Sequence, residues 1–448
     1  MQKKLTRKQA LRRRRIFIIS CSLALAAAIG IIAFVGVKIS GAISAGKTPS
    51  GASSSQDGSS SESAVPKKTA SATVINTGDI LVHNPVLAGA LNSSTGEYDF
   101  SSFFPEVQSY FKAADLAVIN LEVTLGGTKS GDYKGFPSFN TPDSLIDTLS
   151  AAGIGMCLTA NNHSYDTGLY GMTRTVQVLK EKGMPYIGTR ETEDEPIFAV
   201  KNVNGVKIGM TCYTYENKCD TPGRKSLNGN ILKPEANALI NSFAYERIEE
   251  FYSEAENVIS QMRSQGAEAI VFYVHWGDEY KLSPNQWQKT IAQKLCDLGV
   301  DVIVGGHPHV IQPVELLHAS GSERTTVCLY SMGNSISNQR TEELTGLCNT
   351  GHTEDGVLFS YTFDKYSDGS VVLSAVDAVP TWVNKVGQRY SAKYTMYPME
   401  KSADSSKYGL SAAAVSSMQK SYARTRALLE EGLTACQTAL GCKVRIWE

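Results

Sequence analysis

The chain has 448 residues, with 43 Lys and Arg against 44 Asp and Glu, for a net charge of −1. That balance lacks the basic surplus of a nucleic-acid footprint, so no nucleic-acid partner is expected. The length suits one large domain with additions, big enough to bury a core without disulfide staples.

Basic charge is concentrated at the start. Lys3, Lys4, Arg7, Lys8 and Arg12 to Arg15 occupy residues 1–15 without a single acid. Residues 16–37 carry no charge. This run is long enough to span a bilayer, and longer than the roughly 7–15 apolar residues of a signal peptide. The basic flank should stay cytoplasmic. The expectation is a cytoplasmic tail, an uncleaved transmembrane helix at 16–37, and a body outside the cell membrane. Residues 38–71, rich in Ser, Gly and Ala, read as a flexible linker.

From Ala72 the pattern alternates strand and helix. Apolar runs at Ala72 to Asn76, Leu116 to Ile119, Ile154 to Thr159, Ala269 to Val274 and Val300 to Val304 read as buried strands. Between them, helices are expected at Ser101 to Lys112, Thr141 to Ala152, Gly168 to Lys182, Tyr245 to Gln265 and Asn285 to Leu298, several with a Gly stop. Ile197 to Val200 and Val206 to Tyr213 read as a hairpin, as do Val357 to Phe363 and Val371 to Val379; Thr325 to Ser331 is a further strand. The alternation predicts an α/β domain over 72–380 with a largely parallel, partly mixed sheet. Residues 381–448 read as a C-terminal extension with one helical stretch. The eight cysteines after residue 37 show no CxxC zinc spacing; free buried thiols are the simpler reading, with Cys212–Cys219 and Cys436–Cys442 the first disulfides to test.

Each apolar run ends in residues that bind metals through O and N atoms. Asp79 follows Thr77-Gly78, where a turn aspartate is the plainer alternative. Glu122 ends Asn120-Leu121-Glu122, where a salt bridge would also serve. Asn161-Asn162-His163 follows the third run, with Asp166 three residues on to orient the imidazole. His275, alone, could be a core histidine. Gly306-His307-Pro308-His309 sets two imidazoles one residue apart. Parallel strands gather their carboxyl ends, and ligands bind there. Asp79, Glu122, Asn162, His275, His307 and His309 are therefore candidate ligands for one or two divalent ions such as Mn, Fe or Zn. His163 and Asp166 are candidate catalytic groups. His83, Asn161, Glu279 and Asn334 are candidate substrate contacts on the rim. No Gly-x-Ser-x-Gly elbow and no P-loop is present, which disfavours a serine hydrolase or a nucleotide motor.

In order and spacing these motifs, with Phe139-Asn140-Thr141-Pro142, His275-Trp276-Gly277 and Tyr330-Ser331-Met332-Gly333-Asn334, resemble the bacterial poly-γ-glutamate capsule biosynthesis (CapA-type) family over about 72–379. Its domain is similar to the calcineurin-like metallophosphoesterases. The resemblance implies a four-layer α/β/β/α sandwich with a metal site at one edge, and His163 as the acid that protonates a leaving group. It departs from the phosphoesterases after Asp79, where Ile80 and Leu81 stand in place of an Asp-x-His opening. The implied role is in production of an anionic envelope polymer, beside other membrane subunits of a polymer synthase, with the polymer or a phosphoester as substrate. A non-catalytic polymer-binding or export component, and a surface metallophosphoesterase unrelated to capsule, are the alternatives.

Overall fold

The computed structural model describes residues 65–399 and 405–447; the basic tail, the expected transmembrane segment and most of the linker lie outside the described residues. Among the described residues no helix is long and apolar enough to cross a membrane.

In chain order the strands begin with β1 (Lys68–Ile80), β2 (Leu116–Leu121), β3 (Met156–Leu158), β4 (Tyr186–Ile187), β5 (Ala199–Val203) and β6 (Val206–Tyr215). They continue with β7 (Ser226–Leu227), β8 (Asn230–Ile231), β9 (Ser242–Phe243), β10 (Ala269–His275), β11 (Val302–Gly306) and β12 (Ile311–His318). The last are β13 (Thr325–Met332), β14 (Asn334–Ile336), β15 (Asp355–Tyr366), β16 (Val371–Val386) and β17 (Lys393–Pro398). The helices are α1 (Asn84–Ala90), α2 (Gln108–Ala113), α3 (Ser144–Ala152), α4 (Gly168–Glu181), α5 (Ile248–Ser264), α6 (Gln286–Asp297) and α7 (Ala412–Ala439).

The fold is mixed α/β. One sheet runs β17-β16-β15-β1-β2-β3-β4, with β14 also on β1; the other runs β12-β13-β11-β10-β6-β5, with β9 on β6. Strands β1 to β4 are mutually parallel, as are β6, β10, β11 and β13, while β5, β12, β15, β16 and β17 run antiparallel to their neighbours.

Side chains alternate faces along a strand, and both sheets use that alternation. Val74, Val118 and Leu158 of the first sheet share one apolar cluster with Met210, Val271 and Val304 of the second. The intervening Ile75, Ile119 and Cys157 pack instead with Leu145 and Leu149 of α3 and Leu179 of α4. In the second sheet Ile270, Phe272 and Val274 turn outward to meet Phe251 and Val258 of α5 and Ile291 and Leu295 of α6. Helix α6 starts cleanly because the Asn285 side chain accepts from the Gln288 backbone while Gln288 reaches back, a reciprocal capping box.

Several boundaries differ from those read in the sequence. Strand β1 opens at Lys68, inside the expected linker, because Lys68 to Ser71 pair with the long antiparallel β15. The expected helix at Ser101 shortens to α2; Phe100, Phe103 and Phe104 are all buried in turns before it. The boundary at residue 380 falls within β16, and the segment beyond it supplies the edge strand β17 and helix α7, whose Leu429, Leu433 and Cys436 are buried in the inter-sheet cluster. All eight cysteines of the described residues are free thiols, six of them buried.

One crossover matters for the site. After β13 in the second sheet the chain turns at Gly333, at a φ of 69°, and β14 pairs with β1 in the first. The Asp79 N–H donates to the Gly333 carbonyl at 3.0 Å, and Leu81 N–H to Ile336 at 2.8 Å. A Cβ on Gly78 would lie 1.9 Å from the Gly333 carbonyl oxygen, so only glycine allows this approach. Gly78→Ala is expected to cost about 3 kcal/mol by overpacking, read as a lowered urea midpoint at unchanged m-value. An unchanged midpoint would show that the contact is not tight.

Candidate metal centre

The carboxyl ends of the parallel strands bring the strand-end residues together. Asp79 is the penultimate residue of β1, Glu122 lies just after β2, and Asn161 to His163 lie beyond β3. In the second sheet His275 is the last residue of β10, and His307 and His309 follow β11. Register fixes their height: Asp79 pairs with Asn120, and His275 with Gly306. Gly306 leaves room for this: a Cβ there would come 2.9 Å from the Asp79 carboxylate.

Six of the expected ligands form one buried cluster. His275 Nε2 lies 2.9 Å from Asn162 Oδ1 and 3.3 Å from Glu122 Oε1. His309 Nδ1 lies 3.3 Å from Asp79 Oδ2 and 3.9 Å from Glu122 Oε2. Two wholly buried triads have donor atoms all within 4.8 Å of one another: Glu122 with His275 and His307, and Asp79 with Glu122 and His309. Glu122 belongs to both. His307 and His309 hold positive φ of 96° and 56°, a conformation that costs a non-glycine residue about 1–3 kcal/mol. The His307 N–H donates to Asp79 Oδ2 at 3.2 Å, which helps to hold the strained turn.

The electrostatics fit a cation. Burial pushes the Glu122 carboxyl well above its ordinary range, and the charges of Asp79 and Glu279 add to the push. Both Glu122 oxygens are buried without a hydrogen-bond donor, and so is His307 Nδ1. A buried carboxylate in that state needs a compensating charge. Burial also raises the Asp79 carboxyl, but the His309 hydrogen bond, the nearby His275 and His309 rings and the Asn120 amide outweigh it, and the net shift is downward. Burial lowers His275 to about 3 against the pull of Asp79, and lowers His307 well below its ordinary value. Neutral imidazole is the form that binds metal.

His163 stands beside the cluster with a partner of its own. Its Nδ1 is 2.7 Å from Asp166 Oδ2, and that oxygen also accepts the Phe139 N–H at 2.7 Å. An ionised carboxylate only accepts, so Nδ1 carries the proton and Nε2 is left for other work. The Asn228 amide, 3.2 Å from Asp166 Oδ1, braces the same carboxylate. His163 lines a cleft of about 430 Å³ with His83, Glu279, Tyr280 and His309.

The four expected substrate contacts divide. His83 lines the cleft wall; its Nδ1 accepts the Asn338 N–H at 3.2 Å, and its ring meets the Phe139 edge at 5.2 Å. Glu279 is exposed on the rim. Asn161 and Asn334 are fully buried, and their amides are engaged within the protein. Asn161 donates to the Leu121 carbonyl at 2.9 Å and accepts from the His163 backbone at 3.2 Å, locking the turn that presents Asn162 and His163. Asn334 Oδ1 lies 3.2 Å from His309 Nδ1, the same nitrogen that faces Asp79.

Sequence reasoning left out three residues. Asn120 donates to Asp79 at 2.7 Å and stands 3.3 Å from His275 Nδ1. It stands in the run Asn120-Leu121-Glu122, of which only Glu122 was given a role. Asn228 comes from the β7–β8 hairpin, where Asn228-Gly229 is a turn signal without chemical content. Tyr215, at the end of β6, sets its ring 4.8 Å from His307, and no local pattern announces it.

Residues 73–339 match the family model described as bacterial capsule synthesis protein PGA_cap. The chain belongs to this family. It is 26% identical over 298 residues to the PGA biosynthesis protein CapA of Bacillus subtilis (strain 168), covering 63% of this chain and 68% of that protein. It is 25% identical over 277 residues to the capsule biosynthesis protein CapA of Bacillus anthracis, covering 60% of each chain. The chain thus spans about two thirds or less of the length of these relatives. The matched interval begins within β1 and runs past Asn334, so it contains every residue of the cluster.

If a divalent cation compensates Glu122, metal and this carboxylate must be coupled. Chelation is expected to lower the melting temperature of the wild-type protein, and Mn or Zn to restore it. Metal-free Glu122→Gln should be more stable than metal-free wild type by about 2 kcal/mol and gain nothing from added metal. Equal responses of the two proteins in a thermal scan would contradict the coupling.

Proposed function

We propose that this chain is a membrane-anchored, extracytoplasmic protein of poly-γ-glutamate or related envelope-polymer production, with a metal-dependent hydrolytic site of metallophosphoesterase type. The relatives' names support the pathway. The uncharged run at 16–37 behind a basic tail supports the anchor. Two packed sheets with helices on their outer faces, and a ligand cluster at one edge, support the likeness to metallophosphoesterases.

The observation that carries a catalytic reading is the His163–Asp166 pair beside the cluster, both buried, on a cleft that opens outward. A cluster built only to stabilise a fold has no use for an oriented acid at its mouth. Asp79, Glu122, Asn162, His275, His307 and His309 would hold one or two divalent ions, which supply Lewis-acid polarisation and activation of water when bound. His163 holds a proton at Nε2, directed to the leaving group of a phosphoester or amide-type bond. Asp166 fixes the ring by accepting from Nδ1–H and stabilises its charged form. The walls formed by His83, Phe136 and Tyr280 narrow the solvent's access to that proton.

The test is turnover of phosphodiester and γ-glutamyl amide substrates by the full-length protein with bound metal. His163→Ala should lower kcat by about 10²–10⁴-fold while leaving metal content unchanged. Substrates with nitrophenol leaving groups should lose much less, because they need no proton. Equal loss for good and poor leaving groups would remove His163 from the role of acid, and no turnover by wild type would favour a polymer-binding role.

A further inference from the structure

The two triads differ in what they leave unfilled. Asp79, Glu122 and His309 offer three donors, and every one is buried. Divalent ions of the kinds that suit such ligands take four or more. The chain has no imidazole two residues after Asp79, where Leu81 is buried in the first sheet's outer cluster. Glu122, His275 and His307 are supplemented by Asn162, 2.9 Å from His275. The first triad has the Asn334 amide oxygen, 3.2 Å from His309 Nδ1, and a third group of donors adds an exposed carboxylate to His307 and His309.

That carboxylate is Glu279. Its oxygen, a His307 ring nitrogen and a His309 ring nitrogen all lie within 4.8 Å of one another. It is exposed where both imidazoles are buried. His307 also keeps Nδ1 without a hydrogen-bond partner although the side chain is 3% exposed. The backbone holds Glu279 over the imidazoles. The Trp276 N–H donates to the Gly306 carbonyl at 3.1 Å and the Tyr280 N–H to the Pro308 carbonyl at 2.8 Å, so the segment carrying Glu279 is tied at both ends to the His-Pro-His turn. Tyr280 accepts a positive φ of 62° to do this.

We propose that Glu279 is the outer ligand of the metal centre, a solvent-side carboxylate that closes over His307 and His309 and retains an exchangeable cation above the one held by the buried Glu122. The inference rests on the reading of the cluster as a metal centre. It makes occupancy uneven: the inner ion depends on Glu122 and is shielded, while the outer ion depends on Glu279 and is open to the cleft. A substrate oxygen entering the cleft meets the outer position first, beside His163.

The experiment is equilibrium dialysis of full-length protein against graded Mn²⁺, with bound metal counted by elemental analysis and the bound ions followed by electron paramagnetic resonance. Wild type, Glu279→Gln and Glu122→Gln are compared, and circular dichroism checks folding. Wild type should show a tight and a weak ion. Glu279→Gln should weaken the outer ion by about tenfold or more, leave the tight ion in place, and remove any spin coupling between the two. Unchanged binding of every ion in Glu279→Gln, or loss of all ions together in a folded variant, overturns the proposal. A wild-type protein that binds no ion at all overturns the metal reading beneath it. Glu279→Asp adds a control, because it keeps the charge and withdraws it by one methylene: a weak ion bound less tightly than in wild type marks a ligand, whereas binding equal to wild type marks mere charge and overturns the assignment.

Discussion

A carboxylate that cannot be left alone organises this protein. Glu122 is fully buried, both of its oxygens lack a donor, and Asp79 stands close enough to raise its pKa further. Protein groups answer only part of that charge, since burial favours the neutral form of His275 and His307. The rest must come from a cation or from a proton. Everything placed around Glu122 has the donor chemistry of the first answer: three imidazoles, a second carboxylate and an amide oxygen.

The fold serves that constraint by bringing together two sheets that are each ordinary. In one, β1, β2 and β3 end side by side; in the other, β10 and β11 do. What joins the two edges is a chain that changes sheets at Gly333 and lies so close to β1 that Gly78 can carry no side chain. Asn120, Asn161 and Asn334 then tie the ligands to backbone or to one another. These buried amides stiffen the site at strand ends where loops would otherwise be mobile. The His163–Asp166 pair is built on the same turn as Asn162, so the candidate ligand and the candidate acid are held together.

Much of this was legible in the sequence because strand ends announce themselves. Hydrophobic runs such as Val302 to Val304, terminated by His307 and His309, show both the strand and its cargo. The Asp166 partner of His163 was readable from a spacing of three residues. The misses have a common cause in side-chain direction. Asn161 and Asn334 sit in the right motifs, but their amides turn inward to the backbone, and no spacing shows which of two adjacent asparagines faces the cleft. Asn228 and Tyr215 enter from elements distant in sequence, placed by tertiary packing alone. The segment after residue 380 read as an extension with one helical stretch, packing on the body; β17 and α7 have patterns too weak to show that Leu433 and Cys436 are wholly buried against the inter-sheet core.

The most direct test of the central claim is anomalous diffraction from crystals of the protein grown with Mn²⁺. The account predicts an anomalous peak within bonding distance of a Glu122 carboxylate oxygen and of a nitrogen of His275, His307 or His309. A map with no peak there, and with Glu122 instead protonated and hydrogen-bonded to a neighbour, would contradict it.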